Sequence, residues 1–202
     1  MSRRITLKSF LVIFGFALGV GALWYGSFLR DDAAELPWPL ERGARRPKLL
    51  TFGMYVTPTA DQNPIDPPER FTGYHTGLDL EIFSDEKERS VPVLAICDGT
   101  VVYVNWVEGY GGTLVQSCVI RDQAVTVLYG HLAIDSISKK INEALATGEK
   151  IGNLGADHTE ETSGNRKHLH LAIHKGSAIE LHGYAQTEHE LETYIDPLPL
   201  FE

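Results

Sequence analysis

The chain has 202 residues, 43% of them hydrophobic and 22% charged, enough for one sizeable globular domain with an appendage but not for two large domains. Its net charge of -9 excludes nucleic acid as the main partner. The charge is unevenly placed: residues 1–30 carry Arg3, Arg4, Lys8 and Arg30 and no acid, so the remainder holds 14 basic against 27 acidic residues.

Residues 9–29 are uncharged, with Lys8 and Arg30 closing the run on either side. As a helix at about 1.5 Å per residue they extend roughly 30 Å, the thickness of a bilayer core. The basic residues 1–8 are expected to stay in the cytoplasm and everything after Arg30 to lie on the extracytoplasmic side of the cell membrane. Trp24 and Tyr25 fall near the far end, where aromatic rings favour the interface. A cleaved signal peptide is the competing reading, but the run is long for one and no small-x-small site follows it. The expectation is an uncleaved, single-pass signal anchor. Residues 30–50 mix charges with Pro37, Pro39 and Pro47 and show no period, which reads as a linker to a domain over 51–202.

Within that domain, TFGMYVTP (51–58) reads as a first strand, followed by a proline-rich loop. In FTGYHTGLDLEIF (71–83), Leu78, Leu80 and Ile82 alternate with Gly77, Asp79 and Glu81, the pattern of a half-buried strand with Asp79 on its polar face. His75 precedes Asp79 by four positions, which puts it on the same side of an extended chain, and Gly77 between them disfavours a helix. VPVLAICDGTVVYVNW (91–106) reads as two β segments joined at Asp98-Gly99, with Trp106 in the core. EGYGG (108–112) is a glycine-rich turn without the lysine and Ser/Thr of a phosphate loop. TLVQSCVI and AVTVLYGHL are strands joined at Arg121-Asp122-Gln123, the second ending at His131. Residues 136–147 suit one short helix, and 148–155 a turn-strand-turn unit. The polar loop ADHTEETSGNRK then leads into HLHLAIH (168–174), and the tail YIDPLPLF reads as an irregular cover. Many short strands punctuated by glycine indicate an all-β domain, mainly antiparallel sheet.

The strand at 168–174 is the chemical centre of the chain. Successive side chains of a strand face opposite ways, so His168 and His170 share one face while Leu169, Leu171 and Ile173 share the other. With His75, Asp79 and His131 they form a set of imidazoles and one carboxylate at strand ends or on polar faces. Two histidines and a carboxylate with an open fourth position are the donor set of a catalytic zinc, whereas structural zinc sites are closed by four ligands and are rich in cysteine. A non-haem iron centre uses similar donors, but with His-x-Asp/Glu spacing.

The ordered set HTGLDLE, VPVLAICDGTVV, GYGG, YGHL, GEKIGNLG and SGNRKHLHLAI resembles the LytM or lysostaphin-like peptidases, family M23, over about residues 51–200. The resemblance implies one zinc ion held by His75, Asp79 and His170, with His131 and His168 as the two non-ligand catalytic histidines. It also implies a zinc endopeptidase that hydrolyses peptide bonds of bacterial cell-wall peptidoglycan, and a groove above an antiparallel sheet. Some LytM-type domains have lost their ligands and regulate other wall hydrolases; here all five positions are filled. The chain departs from the family pattern in SDEKERS (84–90), in a longer hairpin before YGHL, and in Arg166-Lys167, where the family usually has a small residue and proline. These departures are expected to reshape the groove rim.

Tyr110 on its glycine loop and His174 on the face of His168 and His170 are candidates for lining the groove. His158, His182 and His189 read as solvated. Cys97 and Cys118 fall in predicted strands, and an extracytoplasmic setting permits a disulfide between them.

Overall fold

The structure, a computed structural model, describes residues 35–59, 63–66, 68 and 70–202. The expected membrane anchor over 9–29 lies outside the described residues; among those described, no helix is long and apolar enough to cross a membrane.

The strands, in chain order, are β1 (Tyr55–Val56), β2 (Gly73–His75), β3 (Gly77–Glu81), β4 (Pro92–Leu94), β5 (Gly99–Val107), β6 (Gly111–Ile120), β7 (Gln123–Leu132), β8 (Ala144–Leu145), β9 (Lys150–Asn153), β10 (His168–Lys175), β11 (Tyr184–Ala185) and β12 (Tyr194–Ile195). The main sheet runs β12-β10-β7-β6-β5-β8, with β3 also paired to β10. Among the described residues, a small sheet β1-β2-β11 and a ribbon β4-β9 complete the β structure, and all pairings are antiparallel. The domain is thus mainly antiparallel β.

Period-two patterning fixes the two faces of the main sheet. On β10, Leu169, Leu171 and Ile173 are fully buried and pack with Leu78 and Leu80 of β3 and with Val125, Val127 and Tyr129 of β7. Each such aliphatic side chain contributes about 1.5–3 kcal/mol by leaving water. A register slip of one residue would exchange these with the histidines, so the apolar face also locks the polar one. The β6-β7 hairpin turns through Arg121 and Asp122, both in the left-handed region (φ 48° and 61°), the backbone of a two-residue primed turn without its usual glycine.

Several expected elements differ. The strand over 71–83 is broken at Thr76: β2 and β3 belong to different sheets, because Thr76 turns its amide to the Gly183 carbonyl (3.0 Å) and its hydroxyl to the His182 carbonyl (2.8 Å). The first strand shrinks to Tyr55–Val56, since residues 50–54 give their hydrogen bonds to the edges of β2 and β3 instead. The helix expected over 136–147 does not form; after a 3-10 turn at Ile134–Ser136 the chain bends, with Asn142 at φ 72°, and enters β8. Trp106 is not in the core: it is 40% exposed, and its indole N–H donates to the Glu160 carbonyl.

The stretch expected as a linker is not a free tether from residue 35 onward. Leu40 and Leu50 are buried, Trp38 stacks on Phe201 of the tail, and Arg46, 2% exposed, makes a forked pair with Glu86 at 2.7 and 2.8 Å. Glu86 lies within the insertion SDEKERS, so this loop is an internal anchor. Cys97 and Cys118 are disulfide-bonded, with Cα atoms 6.3 Å apart.

Candidate metal centre

Three elements carry the site. β10 presents His168 and His170, β3 presents Asp79 and Glu81 on the same sheet face, and β2 ends at His75. In the register of β3 and β10, His170 faces Asp79 and His168 faces Glu81. His75 arrives from the second sheet through the bend at Thr76, and its backbone is pinned on both sides by Met54 and Gly53 at 2.9 Å. Gly77 is required for close packing: a Cβ there would stand 2.6 Å from the Leu171 carbonyl oxygen and 2.9 Å from His170 Cε1 and Nε2.

The donors of His75, Asp79 and His170 converge. His75 Nε2 lies 3.0 Å from His170 Nδ1 and 3.2 Å from Asp79 Oδ1, and His170 Nδ1 lies 3.0 Å from Asp79 Oδ1. All three residues are buried. Around a tetrahedral ion with bonds of about 2.0–2.1 Å, ligand atoms stand roughly 3.3 Å apart, close to this spacing. The outer ring nitrogens are also engaged, as is usual for metal-binding imidazoles. His75 Nδ1 lies 3.3 Å from the Thr51 carbonyl, and His170 Nε2 lies 3.3 Å from the Tyr110 hydroxyl. His75 Nε2 and His170 Nδ1 are thereby turned inward, toward each other and Asp79 Oδ1. The donor set therefore fits one divalent ion.

His168 and His131 stand beside this triad, their rings 4.2 Å apart. His168 Nδ1 donates to the Arg166 carbonyl (2.9 Å), and its Nε2 lies 3.2 Å from Asp79 Oδ2. His131, at the end of β7, has φ 61°, and backbone bonds to Tyr110 and Gly155 hold it there. Its Nδ1 is buried without a hydrogen-bond partner.

Electrostatics separate these groups. Burial would raise the Asp79 carboxyl, but the neighbouring His168 and His75 imidazoles and the close contacts of His168 and His170 with its oxygens outweigh it, holding the carboxyl well below the usual range. Burial pushes His170 down to about 4 despite its bond to Asp79, and pushes His131 well down too, with help from His168 and His170. Both imidazoles are thus neutral near pH 7. Burial drives the Tyr110 hydroxyl well up, so it stays protonated.

A cleft of ≈ 290 Å³ opens over His75, Asp79, His131, His168 and His170, walled by Tyr110 and by the 181–184 segment. All five expected site residues are therefore brought together, and Tyr110 is part of their packing. His174 is not among the cleft residues; it lies edge-on to Tyr194, further along β10. His182, expected to be merely solvated, lines the cleft, while His158 and His189 are away from it.

The rim residues expected at 166–167 instead point inward. Lys167 Nζ donates to the carbonyls of Glu86, Lys87 and Arg89 at 2.6–3.1 Å, and the Arg166 guanidinium reaches Asp79 and Glu81. These contacts span 78 to 87 positions of sequence, and no local pattern signals them.

A family model described as peptidase family M23 matches residues 73–181, the span that holds all five site residues. No curated protein matches the chain. Several solved structures share its fold. The catalytic domain of the antimicrobial peptidase lysostaphin from Staphylococcus simulans has a TM-score of 0.54 at 19% identity, over 82% of this chain and 98% of that one. A zinc-containing peptidase from Vibrio cholerae gives 0.52 at 20% identity, over 82% of this chain and 40% of that one. A chain of the SpoIIQ-SpoIIIAH pore-forming complex gives 0.54 at 17% identity, over 83% of this chain and 91% of that one.

Proposed function

Because the chain belongs to peptidase family M23, we propose that it is a membrane-anchored zinc metallo-endopeptidase that hydrolyses peptide bonds of bacterial cell-wall peptidoglycan. The observation that carries the reading is the convergence of three buried donors beside two further imidazoles at the floor of one cleft. The charge-free run over 9–29 supports a domain held on the extracytoplasmic side of the cell membrane.

In this reading His75 Nε2, Asp79 Oδ1 and His170 Nδ1 hold zinc. When bound, the ion polarises a carbonyl and brings the pKa of its water to about 7. The chain's own residues do the rest. The His168 Nδ1–H is fixed on the Arg166 carbonyl, so Nε2 is the basic atom; it takes a proton from the attacking water and returns it to the leaving amine. His131, kept neutral by burial, offers an N–H to the oxyanion that develops on the carbonyl. Tyr110 and the 181–184 wall position the peptide across these groups.

A non-catalytic wall-binding or regulatory domain is the second reading. It is favoured by one feature, the Arg166 guanidinium on Asp79 Oδ2 at 2.7 Å, which occupies one oxygen of a ligand. Digestion of purified wall material, with fragments identified by mass, separates the two. The peptidase reading expects newly exposed amino and carboxyl ends that disappear with a chelator; intact wall peptides after prolonged incubation with zinc-loaded protein would favour the regulatory one.

A further inference from the structure

We propose that Arg166 and Glu81 form a charge-balanced clamp on Asp79 that sets the affinity of the metal centre. The proposal rests on the zinc reading above and concerns positioning residues that lie outside the donor set.

Arg166 Nη2 donates to Asp79 Oδ2 at 2.7 Å and to Glu81 Oε1 at 2.8 Å, and Nε donates to Glu81 Oε1 and Oε2 at 3.2 and 3.1 Å. The three side chains are 13%, 2% and 10% exposed. Asp79 and Glu81 alternate on β3 and so share one face, and the planar guanidinium spans both carboxylates as a compact ammonium could not. Lys167 fastens the adjoining backbone to the carbonyls of residues 86, 87 and 89, which holds Arg166 in line.

The arrangement has two consequences for a divalent cation. Arg166 occupies Asp79 Oδ2, leaving Oδ1 turned toward His75 and His170, so the carboxylate is set up to give one oxygen rather than two. An uncompensated guanidinium hydrogen-bonded to a metal ligand would repel the cation, and Glu81 cancels that charge at contact distance. Glu81 is thus needed to make Arg166 compatible with a metal.

The test is zinc affinity of the full chain by competition with a chromophoric chelator, alongside melting of the metal-free protein. Glu81→Gln keeps the shape and one acceptor but unmasks the cation. It is expected to weaken zinc binding about tenfold, in the range typical of outer-shell partners, with little change in metal-free melting. A loss smaller than about threefold would overturn the clamp. If Glu81→Gln melts far below wild type without metal, Arg166→Lys takes over the test: it keeps the charge but cannot span both carboxylates. Weaker zinc binding in that variant supports the clamp, and wild-type affinity there overturns it. A wild-type chain that binds no zinc would defeat the functional reading itself, a result distinct from a zinc-binding wild type matched by its variants.

Discussion

His170 and Asp79 sit directly opposite one another in the antiparallel pair of β3 and β10, with His170 Nδ1 3.0 Å from Asp79 Oδ1. Two of the three metal donors are therefore a cross-strand pair, held at a spacing that the sheet itself imposes. Only His75 has to be brought from elsewhere, and the bend at Thr76 does so.

This dependence on sheet spacing makes Gly77 sensitive. A methyl group there meets the Leu171 carbonyl and the His170 ring below 3.0 Å, so either the strand pair or the imidazole must shift. Gly77→Ala is expected to weaken zinc binding at least about tenfold and to lower the melting temperature, both readable on one purified variant. Unaltered zinc affinity would mean that His170 does not need its present position.

His131 lies outside the donor triad but beside it. His131→Asn, a residue that tolerates the left-handed backbone at φ 61°, is expected to keep its zinc and lose about 10²–10⁴-fold in hydrolysis of wall material. Turnover equal to wild type would remove His131 from the chemistry.

The Tyr110 hydroxyl lies against His170 Nε2 at 3.3 Å, and its ring fills the space that a Cβ on Gly130 would take, 2.6 Å from Tyr110 Cδ1. Tyr110→Phe keeps the ring and removes the partner of His170 Nε2. Zinc affinity is expected to fall by about tenfold while melting changes little. Chelator competition checks the first and calorimetry the second.

Stability at low pH should depend on Glu86. Burial raises its carboxyl, but hydrogen bonds from Arg46 and from the Phe83 amide outweigh burial and lower it below the ordinary glutamate range. A carboxyl lowered in the folded state stabilises the fold above its unfolded pKa, and that stabilisation is lost as pH falls through the folded value. The melting-temperature gap between wild type and Glu86→Gln is therefore expected to be constant from neutral pH down to about 5 and to close below about 4.5. Arg46→Ala leaves the carboxylate without its fork and is expected to cost about 3–5 kcal/mol at neutral pH. A gap that persisted unchanged into acid would show that the ionised Glu86 carboxylate, and so its pair with Arg46, does not stabilise the fold.

The polar face of β10 is legible in the sequence because strands alternate with period two, and Leu169, Leu171 and Ile173 declare the opposite face. The turn at Arg121-Asp122 is legible for a similar local reason. The break at Thr76 is not: the alternation of 71–83 continues across it, and only the distant carbonyls of His182 and Gly183 redirect the chain. Residues 30–50 read as a linker because they mix charges with three prolines and show no period, yet Trp38, Leu40 and Leu50 each pack in or against a hydrophobic cluster. Arg166 is the clearest case. As a departure from the family pattern it is expected to reshape the groove rim, but its partners lie 85 and 87 positions away.

Zinc content of the purified full chain, compared with that of Asp79→Ala, tests the metal centre most directly. Wild type is expected to hold about one zinc per chain, and Asp79→Ala to hold essentially none under the same chelator wash. Full retention of zinc by Asp79→Ala, or none in the wild type, would contradict the three-donor site.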